Sequence, residues 1–320
     1  PLSSLVLQIK KSTLTKELIE RAKRNTRLIL QGTGKASKAL VSSAIAKQAN
    51  RPFLVIVPTL EEASRWYSLL GLMGWSKTYI YPTSEGSPYE SLEVNNEITW
   101  GQLQVLSDLI IEKTDNNIAI VTTERALQPH LPPKDLLEQK CLFISNELEI
   151  EHEYISNKLT KLGYIRKSSV DAEGTWSRRG DIIDIYPVSS ELPIRLEFFG
   201  DVIDKIKEFD PTTQRSLDTI NHIHVTPTCF NPLISDQIRL EMPDVIEQVL
   251  DNESLDKLLD GGTPSGLRRL IGLAWSKPSS LLDYIDVNTC VVVDEVNQCV
   301  AHGKQWYEHA DESYKETSSR

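Results

Sequence analysis

The sequence has few cysteines and no motif that would pair them. The 320 residues include only four: Cys141, Cys229, Cys290 and Cys299. A zinc knuckle or a disulfide framework needs closely spaced cysteines, and no CxxC pair occurs, so neither is predicted. His222 and His224 stand two residues apart without acidic or cysteine partners at metal-binding spacing, and we expect no metal site.

Long apolar runs are also missing. No stretch approaches the roughly 18 apolar residues that suggest a membrane span, and the start lacks the pattern of a signal peptide. With 40% hydrophobic and 25% charged residues, the composition is typical of a soluble globular protein. We therefore expect a cytoplasmic location, no membrane partner, and two or three domains. The start at Pro1 without Met favours a piece of a longer protein.

Negative charge exceeds positive charge overall, but not at the N-terminus. The net charge is −10, whereas residues 1–51 hold eleven Lys and Arg against two Glu, a net of +9. Such asymmetry can mark a face that binds nucleic acid. The helical spacing of Leu14, Leu18 and Ile19 favours instead an amphipathic helix with a solvated basic side, because no aromatic residue interleaves the charges. Both alternatives stay open.

Short apolar runs alternate with amphipathic stretches from residue 27 to residue 127. The runs are "RLIL" (27–30), "PFLVIVPT" (52–59), "KTYIYPT" (77–83) and "NIAIVTTERAL" (117–127). Between two of them, Thr59 and Glu62 have the spacing of a helix capping box. Strands joined by helices predict a parallel sheet with covered faces. The run "TCVVVDEV" (289–296) predicts that this α/β domain is split and resumes near the C-terminus.

Residues 134–228 differ in kind, with one helical stretch at 153–164 and consecutive strands from Trp176 to Val225. Alternation places Arg195, Glu197 and Phe199 on one face of a strand, opposite an apolar face. We favour a hairpin with a loop at 200–202, which pairs Glu197 with Lys205. A two-residue loop would set Glu197 beside Asp204. The prediction is an α+β insert with an antiparallel sheet.

The loop "LQGTGKAS" (30–37) lies where the first predicted strand meets the first predicted helix. A phosphate-binding loop follows the pattern GxxxxGK[ST]. If Gly34 and Lys35 are its GK pair, Ile29 replaces the first glycine and Ala36 the hydroxyl. Asp294 and Glu295 resemble the acidic pair after a nucleotide-binding strand, but this signal is weak. We expect a degenerate loop, no ATP hydrolysis and no catalytic residue.

The pair Arg178 and Arg179 precedes the strand "DIIDIYP". We expect Arg179 to point outward and a neighbouring strand to bring Arg195 close to it, where an acidic partner would neutralise both. Phe199 shares the polar face, and arginine beside an exposed aromatic ring is typical of a binding hot spot. The alternative is that Phe199 turns back against the end of the sheet.

Three stretches of the sequence resemble a known protein family. The stretch "GTWSRRGDIIDIYPVSSELPIRLEFFGDVIDKIKEFDPTTQRS" (174–216), with "SEGSPYESL" (84–92) and "GYIRKSSVDAEG" (163–174), resembles the N-terminal region of the bacterial transcription-repair coupling factors (Mfd), which is itself similar to the repair protein UvrB. The resemblance implies a split, P-loop-NTPase-like α/β domain with a UvrB-like insert. It implies domain 1a at 1–133, a UvrA-binding domain 2 at 134–228 and domain 1b at 229–320.

The resemblance also implies functional residues. Arg179, Arg195 and Phe199 correspond to UvrA-contacting positions, and Arg178 is an additional candidate because Ser177 stands where UvrB has another arginine. The degenerate nucleotide loop comprises Gly32, Gly34, Lys35 and Ser37, with Ser37 at the position of the family's lysine.

The function implied is recruitment of UvrA by a chain without a cofactor of its own. ATP, Mg²⁺, RNA polymerase and DNA would bind other parts of the longer parent, and the DNA-clamping hairpin of UvrB has no room between Pro88 and Leu103. Residual nucleotide or DNA binding is the alternative.

Overall fold

A computed structural model describes residues 2–24, 27–84, 96–111, 116–241, 250–259, 264 and 266–318. They form two compact units. The α/β unit comprises the described residues within Pro1–Glu90, Glu112–Gln128 and Tyr284–Arg320, and the insert unit those within Ser91–Ile111 and Pro129–Asp283. The three-domain division stays a prediction. No helix in the described ranges combines the length and the apolar character needed to cross a membrane.

The α/β unit contains a parallel sheet with the strand order β12-β1-β3-β2. Its strands are β1 (Phe53–Val57), β2 (Lys77–Ile80), β3 (Ile118–Thr123) and β12 (Cys290–Val293). Phe53 of β1 pairs with Ala119 on one side and with Cys290 on the other. All residues of β1 and β3 are buried, as expected for the inner strands of a sheet covered on both faces. The predicted α/β class is confirmed.

Five helices belong to the α/β unit: α1 (Leu2–Lys10), α2 (Thr13–Arg24), α3 (Lys35–Ala49), α4 (Leu60–Gly71) and α11 (Val296–Ser318). Helix α4 begins where the sequence predicts, and the Thr59 hydroxyl accepts a hydrogen bond from the Glu62 amide at 3.2 Å. Ala39, Ala44, Trp66 and Leu70 bury the facing sides of α3 and α4 in one core with β1 and β3.

The prediction of a strand at residues 27–30 is wrong. These residues form no strand, and Ile29 is 65% exposed. In the sheet itself, β1 is flanked by β3 and β12, so residues 27–30 contribute no strand next to β1. The loop at 30–37 therefore precedes a helix but does not follow a strand of the sheet.

The insert unit contains a six-stranded sheet with the order β10-β9-β8-β7-β6-β5. Its strands are β5 (Ile165–Arg166), β6 (Thr175–Arg179), β7 (Ile182–Tyr186), β8 (Ile194–Phe199), β9 (Val202–Phe209) and β10 (Ser216–Ile220). All neighbours are antiparallel except β5 and β6. A separate antiparallel pair joins β4 (Leu142–Ser145) to β11 (His222–Val225). The predicted antiparallel insert is confirmed.

The helices of the insert unit are α5 (Asn96–Ile111), α6 (Lys134–Lys140), α7 (His152–Lys161), α8 (Asn231–Glu241), α9 (Asn252–Leu259) and α10 (Ile271–Ala274). Short 3-10 turns lie at Glu124–Leu127 in the α/β unit and at Leu267–Leu270 and Leu281–Asp283 in the insert unit. Helix α7 corresponds to the stretch predicted at 153–164. Its Ile155 and Leu159 pack against Ile183, Ile185 and Leu196 of the six-stranded sheet, which leaves the other face of those strands to carry polar residues.

Two sequence predictions fall partly outside the described residues. The sequence "MPDVIEQVLDNESLDKLLDGG" (242–262) has a helical pattern; residues 242–249 and 260–262 lie outside the described part of the chain, and α9 lies within it. The interval between Pro88 and Leu103, expected to be too short for a DNA-clamping hairpin, includes 88–95. That expectation stays a prediction.

Candidate partner-binding surface

The hairpin of β8 and β9 has the favoured register along most of its length. Leu196 pairs with Ile206 and Glu197 with Lys205. The predicted loop at 200–202 is wrong, however, because Phe199 pairs with Val202 and only Gly200 and Asp201 form the turn. The register shifts between Glu197 and Phe198. This bulge accommodates one extra residue in β9, so a two-residue turn coexists with the Glu197–Lys205 pair.

The strand pairs define which residues share a face. Directly opposed residues of antiparallel strands project to the same side. We name the polar side of the sheet the outer face, and within β6 to β9 it carries Ser177, Arg179, Ile182, Asp184, Arg195, Glu197, Phe199, Val202, Lys205 and Lys207. The opposite face packs into the core through Ile183, Ile185, Leu196 and Phe198.

Phe199 is the most exposed aromatic feature of the outer face. It ends β8 beside the Gly200–Asp201 turn and is 84% exposed, and Val202 opposite it is 38% exposed. The ring does not turn back against the sheet. An apolar pair therefore stands at the tip of the hairpin, open to solvent.

Arg179 and Arg178 point to opposite sides of the sheet. They are the last two residues of β6, and Arg179 pairs with Ile182 on the outer face, whereas Arg178 pairs with Ile183 on the core side. The strand predicted after this pair is present as β7, and the pair itself ends the preceding strand, so Gly180 and Asp181 form a hairpin turn. The exposed Arg179 donates to the Ser168 carbonyl, and Arg178 Nε lies 3.4 Å from the Gly180 carbonyl.

Arg195 has an internal partner that sequence reasoning missed. Its Nε and Nη2 donate to the two carboxylate oxygens of Asp184 at 2.8 and 3.0 Å, and its Nη1 reaches the Gln214 carbonyl at 3.3 Å. Asp184 is only 2% exposed. The hydrogen bond to Asp184 raises the pKa of Arg195 above its ordinary value. The signal was present in the alternation, which places Asp184 on the same face as Arg195.

Arg179 and Arg195 are not brought together. Strand β7 lies between β6 and β8, and Arg179 is level with Glu197 and not with Arg195, so more than two strand spacings, about 10 Å, separate their backbones. The expected cluster of two unneutralised guanidinium groups is therefore wrong. Ser177 is buried and pairs with Asp184. Glu197 likewise has a partner, since Lys207 Nζ donates to both of its carboxylate oxygens at 2.8 and 2.9 Å.

The loop predicted to be a degenerate nucleotide loop lies at the start of α3, and the charged groups near it are paired with one another. Gly34 caps the helix, and Lys35 forms an ion pair with Glu62. Lys38, one helical turn beyond Gly34, donates to Asp294 at 2.6 Å and to Glu295 at 3.0 Å. Trp66 Nε1 donates to the other Asp294 oxygen at 2.8 Å. The hydrogen bond to Asp294 raises the pKa of Lys38. Sequence reasoning missed Lys38.

Neither glycine of this loop is in close contact with neighbouring atoms. A Cβ at Gly32 or at Gly34 would meet nothing within 4 Å, although Gly32 has a φ of +71°. Ser37 belongs to the first turn of α3.

Across the described ranges, no three His, Cys, Asp or Glu side chains converge as a metal site, and the four cysteines are free thiols.

Comparison with known families bears directly on the six-stranded sheet. Residues 142–229 match the UvrB interaction domain. The UvrB interaction domain region thus runs from β4 to just beyond β11, and Arg178, Arg179, Arg195 and Phe199 all lie within it.

Proteins similar to most of the chain are called transcription-repair-coupling factors. The one from Bacillus subtilis (strain 168) is 29% identical over 290 residues, which cover 84% of this chain and 24% of that protein. The one from Haemophilus influenzae is 27% identical over 297 residues, which cover 91% of this chain and 26% of that protein. The predicted resemblance is confirmed. The chain spans about a quarter of the length of these relatives.

Proposed function

We propose that this chain is a protein-interaction module that recruits UvrA in transcription-coupled nucleotide excision repair. The proposal is supported by the UvrB interaction domain match at 142–229 and by the similarity to transcription-repair-coupling factors. Contacts with RNA polymerase and DNA, and ATP-driven activity with Mg²⁺, are assigned to parts of the longer relatives that this chain does not span. The location proposed for the module is the cytoplasm.

The observation that carries the proposal is the exposed Phe199 at the tip of the β8–β9 hairpin. Such a ring is unfavourable in water, since burying a Phe side chain contributes about 1.5–3 kcal/mol. Phe199 is paired with Val202 beside the turn, so its backbone is part of the hairpin ladder. Phe199 is therefore suited to act as the apolar anchor of an interface.

Arg179 supplies the polar part of the proposed interface. It lies on the same outer face as Phe199, and its guanidinium group is exposed. A planar guanidinium group can donate two parallel hydrogen bonds to a carboxylate, so we expect an acidic group of UvrA opposite it. Arg195 offers less, because Asp184 already takes two of its donors and its side chain is 17% exposed.

The Phe199→Ala variant tests the anchor. We expect its affinity for purified UvrA, measured by isothermal titration calorimetry, to fall by about thirtyfold or more, since truncation of a hot-spot residue costs about 2 kcal/mol or more. Phe143→Ala is the matched control, because Phe143 is also an exposed phenylalanine of the insert unit, 54% exposed on β4. Equal affinities for Phe199→Ala and the unaltered chain would refute the proposal.

The two adjacent arginines provide a second comparison. Arg179→Ala should weaken UvrA binding, whereas Arg178→Ala should leave it unchanged, because Arg178 projects to the other side of the sheet. Both variants lose one exposed positive charge, so a general electrostatic effect would weaken both equally. Equal losses would remove Arg179 from the interface.

We further propose that the α/β unit hydrolyses no ATP. The supporting observation is that Lys38 and Trp66 occupy the oxygens of Asp294, the carboxylate that would ligand Mg²⁺ in a working site. Lys35 is likewise paired with Glu62. Among the described residues, Lys35, Lys38 and Asp294 are thus all engaged in internal contacts.

A further inference from the structure

Strand β12 lies at one edge of the parallel sheet in the α/β unit. It pairs with β1 on one side, and no strand of the described ranges pairs with its other side. The amides of Cys290 and Asp294 donate to carbonyls on the β1 side at 2.8 and 2.9 Å. Because successive residues of a strand direct their N–H and C=O groups to alternate sides, Val291 and Val293 direct theirs away from β1. The outer edge of β12 therefore offers two donors and two acceptors to another strand.

One face of β12 is apolar and open to solvent. Cys290 and Val292 pack against the core shared with α3, α4 and β1, whereas Val291 and Val293 are 46% and 41% exposed. The strands of a parallel sheet are ordinarily covered on both faces, and proteins protect exposed edges with charged residues, proline or bulges. Residues 290–293 contain no charged residue and no proline. An edge strand of this kind is a template for pairing with another chain.

The outer edge of β12 is complementary to a second copy of itself. Antiparallel pairing about a two-fold axis at Val292 places Val291 opposite Val293 of the second copy, and Val293 opposite Val291. Residues paired in this way exchange two hydrogen bonds, so the two pairs form four. Directly opposed side chains project to the same face, and the four exposed valine side chains therefore lie together on one face.

This register alone uses both outward-facing residues of each copy. A shift of two residues in one direction pairs a valine with Glu295, whose φ of +52° takes it out of the extended conformation. A shift of two residues in the other direction pairs a valine with Thr289, whose amide already donates to the Asp286 carbonyl at 2.9 Å. The residues that flank β12 thus limit the pairing to one alignment.

The charges beside β12 are compatible with this alignment. Like charges directly opposite each other destabilise a strand pair, but Asp294 falls opposite Cys290 of the second copy, and Glu295 falls beside the uncharged residues that precede it. Lys38 Nζ also lies 2.6 Å from Asp294 Oδ1 and 3.0 Å from Glu295 Oε1. This lysine reduces the negative charge that the two copies would bring together.

We propose that this chain forms a two-fold symmetric dimer in which the outer edges of two β12 strands pair and join the two four-stranded sheets into one. The same surface serves both copies, as in other symmetric dimers. The interface belongs to the α/β unit, whereas Phe199 and Arg179 belong to the insert unit, so the dimer is independent of the proposed recruitment of UvrA. Two four-residue strands are smaller than the roughly 1,200 Å² interface of a stable complex. We therefore expect a weak dimer, with a dissociation constant of about 30 µM.

Sedimentation equilibrium of the unaltered chain tests the dimer. We expect the weight-average mass to rise from near that of one chain at about 3 µM towards that of two chains at about 300 µM, where about four-fifths of the chains are paired. Val291→Lys/Val293→Lys should keep the mass of one chain at every concentration, because charge on an edge strand opposes pairing. Val287→Lys is the matched control and should dimerise like the unaltered chain, since Val287 is almost fully exposed and precedes the strand.

Residue-resolved hydrogen exchange tests the edge itself and needs no variant. In the unaltered chain, the Val291 and Val293 amides should exchange about fourfold more slowly at about 300 µM than at about 3 µM, in proportion to the fraction of monomer. The Cys290 and Asp294 amides face β1 and should show no comparable slowing. Association through another surface would not single out alternate amides of β12.

Three results would overturn the dimer. The first is a mass of one chain at every concentration. The second is equal protection of the Val291 and Val293 amides in dilute and concentrated protein, since residues of the same chain would then cover the edge. The third is a dimer that persists in Val291→Lys/Val293→Lys, which would place the interface elsewhere. Phe199→Ala should dimerise like the unaltered chain, so a failure of UvrA binding and a failure of the dimer are distinguishable.

Discussion

The ion pair between Arg195 and Asp184 joins two neighbouring strands of the outer face. A buried charge is costly unless a partner neutralises it, and the Asp184 side chain is almost inaccessible to solvent. Arg195 satisfies both carboxylate oxygens and also packs over the Phe209 ring, 4.8 Å from its centroid. The first role of this arginine is therefore to stabilise the sheet, and any contact with a partner is made by the part left exposed.

Arg195→Ala should consequently destabilise the fold. Removing one member of a buried ion pair costs about 3–5 kcal/mol, because Asp184 would keep its charge without a partner. The loss should appear as a lower free energy of unfolding in urea. Lys205→Ala, in the adjacent strand with a mostly exposed side chain, should change that free energy by less than about 0.5 kcal/mol.

Adding Asp184→Asn to Arg195→Ala should recover part of the lost stability, since the uncompensated charge disappears. Unchanged stability of the single variant would contradict the structural role. A loss of UvrA binding by Arg195→Ala is informative only for protein shown to be folded.

At the scale of elements, the two-residue turn of the β8–β9 hairpin determines how Phe199 is presented. Gly200 has a φ of +62°, a region that residues with a Cβ seldom adopt. A Cβ built there would meet nothing within 4 Å, so backbone strain is the only cost. The turn and the bulge after it together keep Phe199 on the outer face.

Gly200→Ala should lower the free energy of unfolding by about 1–2 kcal/mol through that strain. Gly200→Asn should lower it less, because asparagine tolerates the left-handed region better. Gly163→Ala should cost more than either, since its φ is +92° and the new Cβ would lie 2.4 Å from Thr228 Oγ1. The comparison uses urea unfolding of the four proteins. Equal stability of Gly200→Ala and the unaltered chain would argue against this turn geometry.

At the scale of the whole molecule, the positive charges of the basic N-terminal stretch are less available for binding nucleic acid than the composition indicates. Lys35 pairs with Glu62, Lys38 with Asp294, and Arg21 with Glu17. Lys47 donates to the Asn117 side chain at 2.7 Å and lies 4.1 Å from the centre of a Trp75 ring. These internal contacts engage part of the positive charge on which the DNA-binding alternative depends. Within the predicted amphipathic helix, Leu14 is 53% exposed, and both alternatives stay predictions.

The internal ion pairs also lead to a prediction for nucleotide. We expect no Mg²⁺-dependent ATP hydrolysis, and no rise in melting temperature with MgATP, because a ligand that does not bind the folded state cannot stabilise it. Lys35→Ala should behave like the unaltered chain in both assays. Turnover that Lys35→Ala abolishes would instead support a helicase-type ATPase.

Sequence alone was sufficient where the deciding contacts are local. The period of two along β8 placed Arg195 and Phe199 opposite Leu196 and Phe198, and the capping hydroxyl of Thr59 placed the start of α4. Both depend on residues within a few positions of each other, whose relative placement follows from the geometry of a single strand or helix.

Tertiary structure alone decided which distant residues meet. Strand β7 separates Arg179 from Arg195, and Asp184 neutralises only the latter. Lys38 reaches Asp294 from 256 positions away. Residues 27–30 form no strand, and the neighbour of β1 on the side away from β3 is β12, which comes from the C-terminal part of the chain. Such contacts depend on strand order and on turn geometry, which join segments far apart in the chain and leave no periodic signal in consecutive residues.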